Sequence, residues 1–445
     1  MIDELRSSIA GPVLTRGDEG FTAEVAAHNT IAVHSPEVAV GATSEADVAA
    51  AVRVASKYAV PVRVLATGHG SVAGVTDGIL ITTSRLKDLS IDGRIARIGA
   101  GLDWAEVITA AAEHGLAPIT GASDTVGTVG YTLGGGLGPL ARTFGYSSDW
   151  ARGFRVVTAD GNVVSANAKE NPDLFWALRG GKGGFGVVTS MDFELVPLTT
   201  LYGGAMFFDA EHIAAVLGAW ADWTKTAPES ASSSVAILRL PPLEVIPEPL
   251  RGKTLLNLRY AFVGDPAEGD RLLRPIRDLA PTLIDAVGEM PAANIAQIHN
   301  DPRDPGPGWV RGLLLDGIDD GFVSALLQAV GPEQQIPIVA VELRHLGGAT
   351  RRDVPEGSAV GGREADFSLS FVGVPDPNLF ADVLPPIVDG ILAQLAPWTS
   401  AQNNINFAGG LELEGSYEAS WSPATFARLA EVRTTFDPTS LFVYP

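Results

Sequence analysis

The 445 residues exceed the size at which a single hydrophobic core stops growing, so we expect two domains. The formal net charge of −21 disfavours binding to a nucleic-acid backbone, which needs clustered lysine and arginine. The absence of cysteine excludes disulfides, iron–sulfur clusters, thiolate zinc sites and cysteine nucleophiles. The seven histidines show no metal-ligand spacing, so no metal site is expected and any redox chemistry must come from an organic cofactor.

The start of the chain and its hydropathy predict a cytoplasmic protein. The opening MIDELRSS carries early acidic residues and no apolar core segment, unlike a secretory signal. No run of about 18 apolar residues occurs, which disfavours a membrane span. We therefore expect neither a membrane nor a nucleic acid among the partners, and either a monomer or a homodimer.

The first part of the chain alternates helices and strands. Ser44 stands before a predicted helix in which apolar residues recur at helical spacing from Val48 to Ala55. A second helix is predicted over residues 104–114, followed by Gly115. Strands are predicted over residues 60–65, 78–82, 94–100, 155–158, 162–165 and 187–195.

The middle of the chain has a different character, because glycine motifs thin out between about residues 201 and 402. Strands predicted over residues 254–262, 338–346 and 367–374 alternate there with amphipathic helices. A last helix is predicted within residues 422–442 and is closed by Phe436-Asp437-Pro438. We find no internal repeat and no low-complexity tract.

Two loops at strand ends are dense in glycine, over residues 66–74 and 127–138. Glycine tolerates positive φ and lets backbone N–H groups approach an anion, so two converging loops can supply the donors that a diphosphate needs. The alternative is that the glycines only form tight turns. A third cluster over residues 180–186 favours the diphosphate interpretation. Neither loop has the lysine of a Walker A motif or the strand and acid of a Rossmann fingerprint.

The segment over residues 63–74, with Gly68-His69-Gly70, resembles the Val-Arg-x-Gly-Gly-His-Ser motif of FAD-linked oxidases of the vanillyl-alcohol-oxidase type. Residues 123–138 resemble the second flavin loop of that family, Gly-x-x-x-Gly-Gly-Gly-x-Gly. Further likenesses lie at residues 159–161, 171–181, 185–189 and 436–442. The resemblance is strong over the N-terminal 200 residues, good in the tail and weak in the middle, and is nearest to berberine-bridge-enzyme-like bacterial oxidases.

This resemblance implies an α+β fold that binds one FAD. The expected parts are a two-lobed PCMH-type FAD-binding domain and an α+β substrate domain whose large antiparallel sheet covers the flavin. We place the FAD domain at residues 1–198, the substrate domain at 199–410, and a C-terminal segment that returns to the FAD domain at 411–445.

The FAD-binding residues that the resemblance implies lie in three short segments. They are Ala66, Thr67, Gly68, His69, Gly70, Ser71 and Gly74; then Ser123, Thr125, Gly127, Gly130, Gly134, Gly136, Leu137 and Gly138; and finally Gly186, Val187 and Val188.

His69 is the expected point of covalent attachment, because the family joins the flavin C8-methyl group to a histidine at this position. A neutral imidazole is a competent nucleophile. The alternative is a loop histidine with local hydrogen bonds, and Ala66-Thr67 departs from the usual Gly-Gly pair. Some relatives add a second bond from a cysteine, but Ser123 stands there, so a single link is expected and oligosaccharide substrates are weakly disfavoured.

A strand of the predicted substrate domain carries a candidate catalytic glutamate. Glu342 and Arg344 share one face by the period of two along a strand, and His345 points to the other face. Nicotine-oxidising members of the family carry a glutamate in a comparable strand, which implies that Glu342 binds substrate or accepts its proton. The alternative is a structural ion pair between Glu342 and Arg344 on a buried face.

Residues 403–407 resemble the Tyr-x-Asn-Tyr/Phe motif that lies near the flavin ring in the family. The tyrosine that some sugar-oxidising members use as a base falls at Asn404, and an amide takes no proton at neutral pH. Asn404 and Asn406 are therefore candidates for hydrogen bonds to substrate or flavin, with a plain turn as the alternative. Loss of the tyrosine favours a substrate that needs no strong base, such as a neutral amine.

The leading functional hypothesis is an FAD-dependent oxidoreductase that oxidises a small organic amine or alcohol. Hydride would pass to flavin N5, and O2 would reoxidise the flavin to give H2O2. One alternative is a flavin dehydrogenase or oxidase of a sugar or secondary metabolite that uses another acceptor. A flavin-binding protein without turnover is a third, and His69 with the two glycine loops counts against it.

Overall fold

The computed structural model describes residues 1–410 and 415–444, and the first of its sheets is small and mostly parallel. Strands β1 (Val13–Thr15), β2 (Val38–Gly41), β3 (Val62–Leu65) and β4 (Ile79–Thr82) lie in the order β1-β2-β4-β3. Helices α1 (Ile2–Ser8), α2 (Phe21–Glu24) and α3 (Glu45–Tyr58) accompany them. The Ser44 side chain accepts a hydrogen bond from the Asp47 N–H and so begins α3, as the sequence predicts.

A second, five-stranded antiparallel sheet completes the N-terminal part. It contains β5 (Leu89–Asp92), β6 (Ile95–Gly99), β7 (Ala151–Val157), β8 (Val163–Asn167) and β9 (Val187–Glu194) in the order β5-β6-β9-β7-β8. Its helices are α4 (Trp104–Glu113), α5 (Thr128–Thr132), α6 (Ala141–Phe144) and α7 (Pro172–Leu178). The first glycine-rich loop follows β3, as the sequence predicts. The second lies between α4 and α6 and contains α5, so the prediction that it stands at a strand end is wrong.

The third sheet is large and antiparallel, which confirms the α+β fold expected from the resemblance. It contains β10 (Thr200–Asp209), β11 (Ala231–Arg239), β12 (Thr254–Phe262), β13 (Thr282–Asp285), β14 (Gly288–Pro291), β15 (Val310–Leu315), β16 (Ile338–His345) and β17 (Phe367–Gly373). The order is β13-β10-β12-β11-β16-β17-β15, and β14 also pairs with β10. Helices α8 (Ile213–Thr224), α9 (Pro266–Arg277), α10 (Asp320–Val330) and α11 (Leu384–Leu395) belong to the same region.

The two faces of this sheet differ because side chains alternate along each strand. On β12, Leu256, Leu258 and Tyr260 join the apolar core shared with helices α8 to α11. Arg259 points the other way, and Ser234 of β11 lies opposite it in the pairing register. On the other edge of β11, Arg344 of β16 lies opposite Ser234. The face of the sheet that points away from the apolar core, the inner face, therefore carries polar side chains on three adjacent strands.

The tail returns to the first small sheet. Helix α12 (Pro423–Phe436) ends at the predicted Phe-Asp-Pro stop, and the Asp437 carboxylate then accepts hydrogen bonds from the N–H groups of Leu441 and Phe442. The Val62 N–H donates to the Leu441 carbonyl at 2.8 Å, which joins the tail to β3. Residues 411–414 and 445 of the predicted C-terminal segment lie outside the described residues.

The apolar side chains gather in two main cores. One contains residues from the two small sheets together with Leu429, Val432 and Leu441 of the tail. The other contains residues from Tyr202 to Leu395 around the large sheet. The domain boundaries at residues 198 and 410 stay predictions. Among the described helices, none combines the length and apolar character needed to cross a membrane.

Candidate functional site

His69 belongs to the first glycine loop, between β3 and β4, and contacts the segment of the second loop, taken as residues 123–138. Its Nδ1 atom is 3.0 Å from Thr67 Oγ1, and its Nε2 atom is 3.0 Å from Thr125 Oγ1. The ring stacks on His28, with centroids 3.6 Å apart and an interplanar angle of 12°. Burial, together with the nearby His28, lowers the pKa of His69 to about 4. The imidazole is therefore neutral at pH 7, the form that acts as a nucleophile.

The backbone of the first loop presents unused hydrogen-bond donors. Within residues 1–410 and 415–444, the N–H groups of Thr67, Gly68, His69 and Gly70 donate to no other protein group. The next N–H, of Ser71, donates to the Gly68 carbonyl and closes the turn. A run of unpaired backbone N–H groups is the donor set that an anion such as a diphosphate requires.

The second glycine loop meets the first through threonine hydroxyls. Thr67 Oγ1 accepts a hydrogen bond from the Gly127 N–H at 3.2 Å. Thr125 Oγ1 lies 3.1 Å from Ser123 Oγ, so the chain of contacts runs from His69 to Ser123. The structure thus brings five of the sequence-predicted residues, from two distant segments, into one hydrogen-bonded group.

The glycines of these loops divide into two kinds. A Cβ atom on Gly138 would lie 1.7 Å from the Thr120 carbonyl oxygen, and one on Gly74 would lie 2.2 Å from the Val33 carbonyl oxygen. Close packing explains these two positions. Gly70 and Gly130 are exposed, and a Cβ on either would meet nothing within 4 Å. The open positions are the ones where a ligand can approach the backbone.

The remaining predicted cofactor residues lie in packed surroundings. Val187 and Val188 begin β9, pair with β7 and are buried, and a Cβ on Gly186 would lie 2.6 Å from the Val157 carbonyl oxygen. Leu137 is buried, and its carbonyl oxygen is 3.5 Å from Arg344 Nη1. The FAD-contact role of these residues stays a prediction.

Glu342 forms the ion pair with Arg344 that the sequence left open, and it forms a second one. Its Oε2 atom is 2.8 Å from Arg344 Nη2, and its Oε1 atom is 2.6 Å from Arg259 Nη1. Ser234 Oγ donates to Oε1 at 3.0 Å. Burial raises the pKa of Glu342, but the charges of Arg344 and Arg259 outweigh burial and hold the pKa well below its usual range. A carboxylate this acidic is a weak base, so the contacts support the ion-pair alternative.

His299 adds a neutral ring to this buried group. Its Nε2 atom is 3.3 Å from Glu342 Oε1, although the geometry there is not that of a hydrogen bond. Burial, followed by the charge of Arg259, lowers the pKa of His299. Sequence reasoning missed Arg259 and His299 beside Glu342. Arg259 is the only charged residue of β12, which was a usable signal, whereas His299 lies in a loop without any local signal.

The two candidate asparagines lie beside the second glycine loop. The Asn406 amide donates to the Tyr131 carbonyl at 2.8 Å, and its Oδ1 accepts from Lys182 Nζ at 2.6 Å. Asn404 is buried, and its Oδ1 accepts from the Asn406 N–H at 3.1 Å. These bonds form a turn that packs on the loop. Contact with substrate or flavin stays a prediction for both residues.

Lys182 is a further cation at this place that the sequence did not single out. It belongs to the third glycine cluster, and its Nζ also donates to the Gly130 carbonyl at 3.0 Å. Burial lowers the pKa of Lys182 to about 8. The signal in the sequence for this residue was a single lysine within a run of glycines.

The residues present fit one FAD, because a neutral His69 and a run of unpaired N–H groups lie where two open glycine loops meet. A family model described as an FAD binding domain matches residues 36–167, a span that contains both loops. An uncharacterized FAD-linked oxidoreductase of Bacillus subtilis, YgaK, is 25% identical over 98% of this chain and 96% of its own length. The chain is therefore similar over nearly its whole length to an FAD-linked oxidoreductase, and it is an FAD-dependent enzyme of the oxidoreductase class.

Two solved structures show the same fold as this oxidoreductase. The 6-hydroxy-D-nicotine oxidase from Arthrobacter nicotinovorans superposes with a TM-score of 0.84 at 22% identity, over 98% of this chain and 97% of that chain. The glucooligosaccharide oxidase from Acremonium strictum has a TM-score of 0.82 at 21% identity, over 99% and 98% of the two chains. These two structures show the fold. The resemblance and the FAD-dependent enzyme class expected from the sequence are confirmed by the FAD binding domain match together with the FAD-linked relatives.

Proposed function

We propose that this oxidoreductase is an oxidase of a small organic molecule and holds one FAD through a single covalent bond to His69. Bound FAD supplies an acceptor, at its N5 atom, for a hydride from a substrate C–H bond, and O2 then takes up the two electrons to give H2O2. The neutral His69 that touches both glycine loops is the observation that carries this proposal.

The loop residues hold the imidazole in one orientation. Thr67 and Thr125 each contact a different ring nitrogen, and His28 stacks on the ring, so the nucleophile is positioned without being protonated. The glucooligosaccharide oxidase is described as carrying a 6-S-cysteinyl, 8α-N1-histidyl FAD, which supports a histidyl link here. The chain contains no cysteine, so the link is single.

The inner face of the large sheet bears on the type of substrate. Arg259 and Arg344 surround the only carboxylate of their ion-paired group, which leaves a net positive charge. A cationic amine is therefore disfavoured, and an alcohol is favoured. The two alternatives, another electron acceptor or flavin binding without turnover, are separated by experiment.

The attachment is tested by acid precipitation of the purified protein and by mass measurement. We expect the flavin to stay with the polypeptide, one FAD to be added to the peptide that contains His69, and His69→Ala to release the flavin. Thr30→Val, an exposed change on a neighbouring loop, serves as the control and should retain the bond. Acid release of flavin from the wild-type protein contradicts covalent attachment.

Turnover is tested with a substrate panel under anaerobic conditions, followed by admission of O2. A substrate should bleach the flavin absorbance, and O2 should restore it with one H2O2 formed per substrate consumed. Bleaching without recovery in O2 indicates a dehydrogenase. A flavin that no reductant of the panel bleaches indicates a binding protein.

A further inference from the structure

A small cavity of about 30 Å³ lies between the second glycine loop and the inner face of the large sheet. Leu137 and Gly138 form the loop side. Ser232, Arg259 and Arg344 form part of the sheet side. One water molecule needs roughly 10–15 Å³ on this measure, so the cavity has room for a small polar group such as a carboxylate rather than for a whole organic ligand.

The wall of this cavity carries more positive than negative charge. Arg259 and Arg344 share the carboxylate of Glu342. Arg142, which also lines the cavity, donates to the carbonyl oxygens of Ala231 and Leu346 and contacts His345 Nε2 at 2.9 Å. Burial lowers the pKa of Arg142 only to about 10, so three guanidinium groups face one carboxylate at pH 7.

The other titratable groups around the wall do not balance this charge. Burial lowers the pKa of His345 to about 2 and lowers that of His299 as well, so both rings are neutral. Glu229 and Asp366, the acids nearest Arg142, are each paired with a surface arginine. Asp301 acts on Arg344 only at longer range, since it makes no ion pair among the described residues.

Several donors on the wall also have no partner in the described part of the chain. Ser232 Oγ and Arg259 Nε make no hydrogen bond, although both residues are more than nine-tenths buried. His299 Nδ1 likewise makes no hydrogen bond, whereas Nε2 lies 3.3 Å from Glu342 Oε1, and the side chain is 5% exposed. Buried polar groups are costly to leave unsatisfied, so such a set indicates a ligand that accepts hydrogen bonds.

We propose that this cavity binds an anionic group of the substrate, such as a carboxylate, and that the enzyme oxidises an organic acid. The inference rests on the proposed oxidase function. Arginine is the side chain best suited to bind a planar carboxylate with two hydrogen bonds, and Ser232 adds a further donor. The anionic group itself is unchanged in the reaction: a C–H bond elsewhere in the substrate gives up the hydride, and an O–H proton leaves to solvent.

The proposal is tested by binding rather than turnover, with non-reacting probes added to the FAD-loaded enzyme. Acetate, benzoate and phenylacetate are each compared with the matching amide, and benzoate also with benzylamine. Dissociation constants come from perturbation of the flavin spectrum and from thermal shift. At least one acid should bind about tenfold more tightly than its amide. If no acid binds better than its amide, the proposal is overturned.

Ser232→Ala separates binding from folding. The hydroxyl has no partner, so its removal should leave the thermal midpoint unchanged or raised while it weakens binding of the acid about tenfold. Ser233→Ala is the matched control: the residue borders the cavity, but its hydroxyl points to the opposite face of β11. The Ser233 hydroxyl accepts from Trp220 Nε1 at 2.9 Å, so this change should lower stability and leave binding of the acid unchanged. Equal effects of the two changes on binding contradict the proposal.

Glu342→Gln gives the result that most clearly distinguishes an anion site from a cation site. Loss of the Glu342 carboxylate, which Arg259 and Arg344 share, should maintain or tighten binding of the acid. If the cavity were a cation site, the same change would weaken binding of benzylamine. The positive wall could instead serve the reduced flavin. A Ser232→Ala change that shifts the flavin midpoint potential and leaves acid binding intact would assign the donors to the flavin and overturn the proposal.

The oxidase function and the anion site can be disproved independently of each other. An enzyme that oxidises neutral alcohols with release of H2O2 but binds no acid retains the oxidase function and loses the anion site. An enzyme that binds acids through Ser232 but reduces no O2 retains the anion site and loses the oxidase function.

Discussion

The carboxylate of Glu342 lies between two guanidinium groups on the inner face of the large sheet and is 7% exposed. Removal of one partner from a buried ion pair leaves the other charge without compensation. We therefore expect Glu342→Gln to lower the free energy of unfolding by about 3–5 kcal/mol at pH 7, measured by chemical denaturation. Glu229→Gln, which breaks an exposed pair with Arg352, should cost less than about 1 kcal/mol. Similar losses from both changes would contradict a buried structural role.

The ion pairs of Glu342 with Arg344 and Arg259 make the stability of the protein depend on pH. The folded-state pKa of Glu342 lies below its unfolded value because the two arginine charges outweigh burial. The stabilisation is therefore complete above the unfolded pKa, near 4.5, and is lost as the pH falls through the folded pKa. The stability difference between wild type and Glu342→Gln should stay constant from about pH 7 to 5 and narrow only below that, in denaturation curves recorded at each pH. A stability difference that already narrows between pH 7 and pH 5 would show that the folded-state pKa of Glu342 is not lowered.

The second glycine loop combines positions that pack closely with positions that stay open. Gly138→Ala would place a Cβ 1.7 Å from the Thr120 carbonyl oxygen, and we expect it to lower the free energy of unfolding by about 3 kcal/mol. Gly130→Ala meets nothing within 4 Å and lies inside α5, where alanine favours the helix by about 0.5–1 kcal/mol.

The two substitutions are compared by thermal unfolding and by the ratio of flavin to protein absorbance. Gly130→Ala should fold at least as well as wild type but carry less FAD, if the open space beside Gly130 takes the cofactor as the resemblance implies. Gly138→Ala should lose stability whether or not FAD is added. A Gly130→Ala protein with full FAD content would remove Gly130 from the cofactor site.

The C-terminal tail connects distant parts of the chain, since residues after α12 run beside β3, directly before the His69 loop. Asp437 is 5% exposed, and its two oxygens accept from the N–H groups of Leu441 and Phe442, each at 2.8 Å. Asp437→Ala should lower the free energy of unfolding by about 1–3 kcal/mol, because two buried donors lose their partners. Asp437→Asn keeps one acceptor and should lose less. Equal losses from Asp437→Ala and Thr439→Val, measured by thermal unfolding, would show that the tail contacts are not specific.

Much of the backbone pattern could be predicted from local sequence. The Ser44 cap, the apolar spacing of α3, three strands of the large sheet (β12, β16 and β17) and the Phe-Asp-Pro stop of α12 are short-range signals, and the structure shows each of them. The glycine motifs around His69 and Gly127 also identified the loops that meet. These features act within a few residues, so a linear pattern records them fully.

The charge of the candidate site depended on contacts between distant residues. Ser234 and Arg259 reach Glu342 from positions 108 and 83 residues away, and His28 stacks on His69 from another loop. The sequence suggested one ion pair and an uncharged or cationic substrate, whereas the fold surrounds one carboxylate with two arginines. The pairing register of antiparallel strands brings those side chains together, and register follows from the packing of whole strands against one another. The sequence by itself therefore identified the charged residues, but only the tertiary structure decided which of them meet and so the net charge of the cavity.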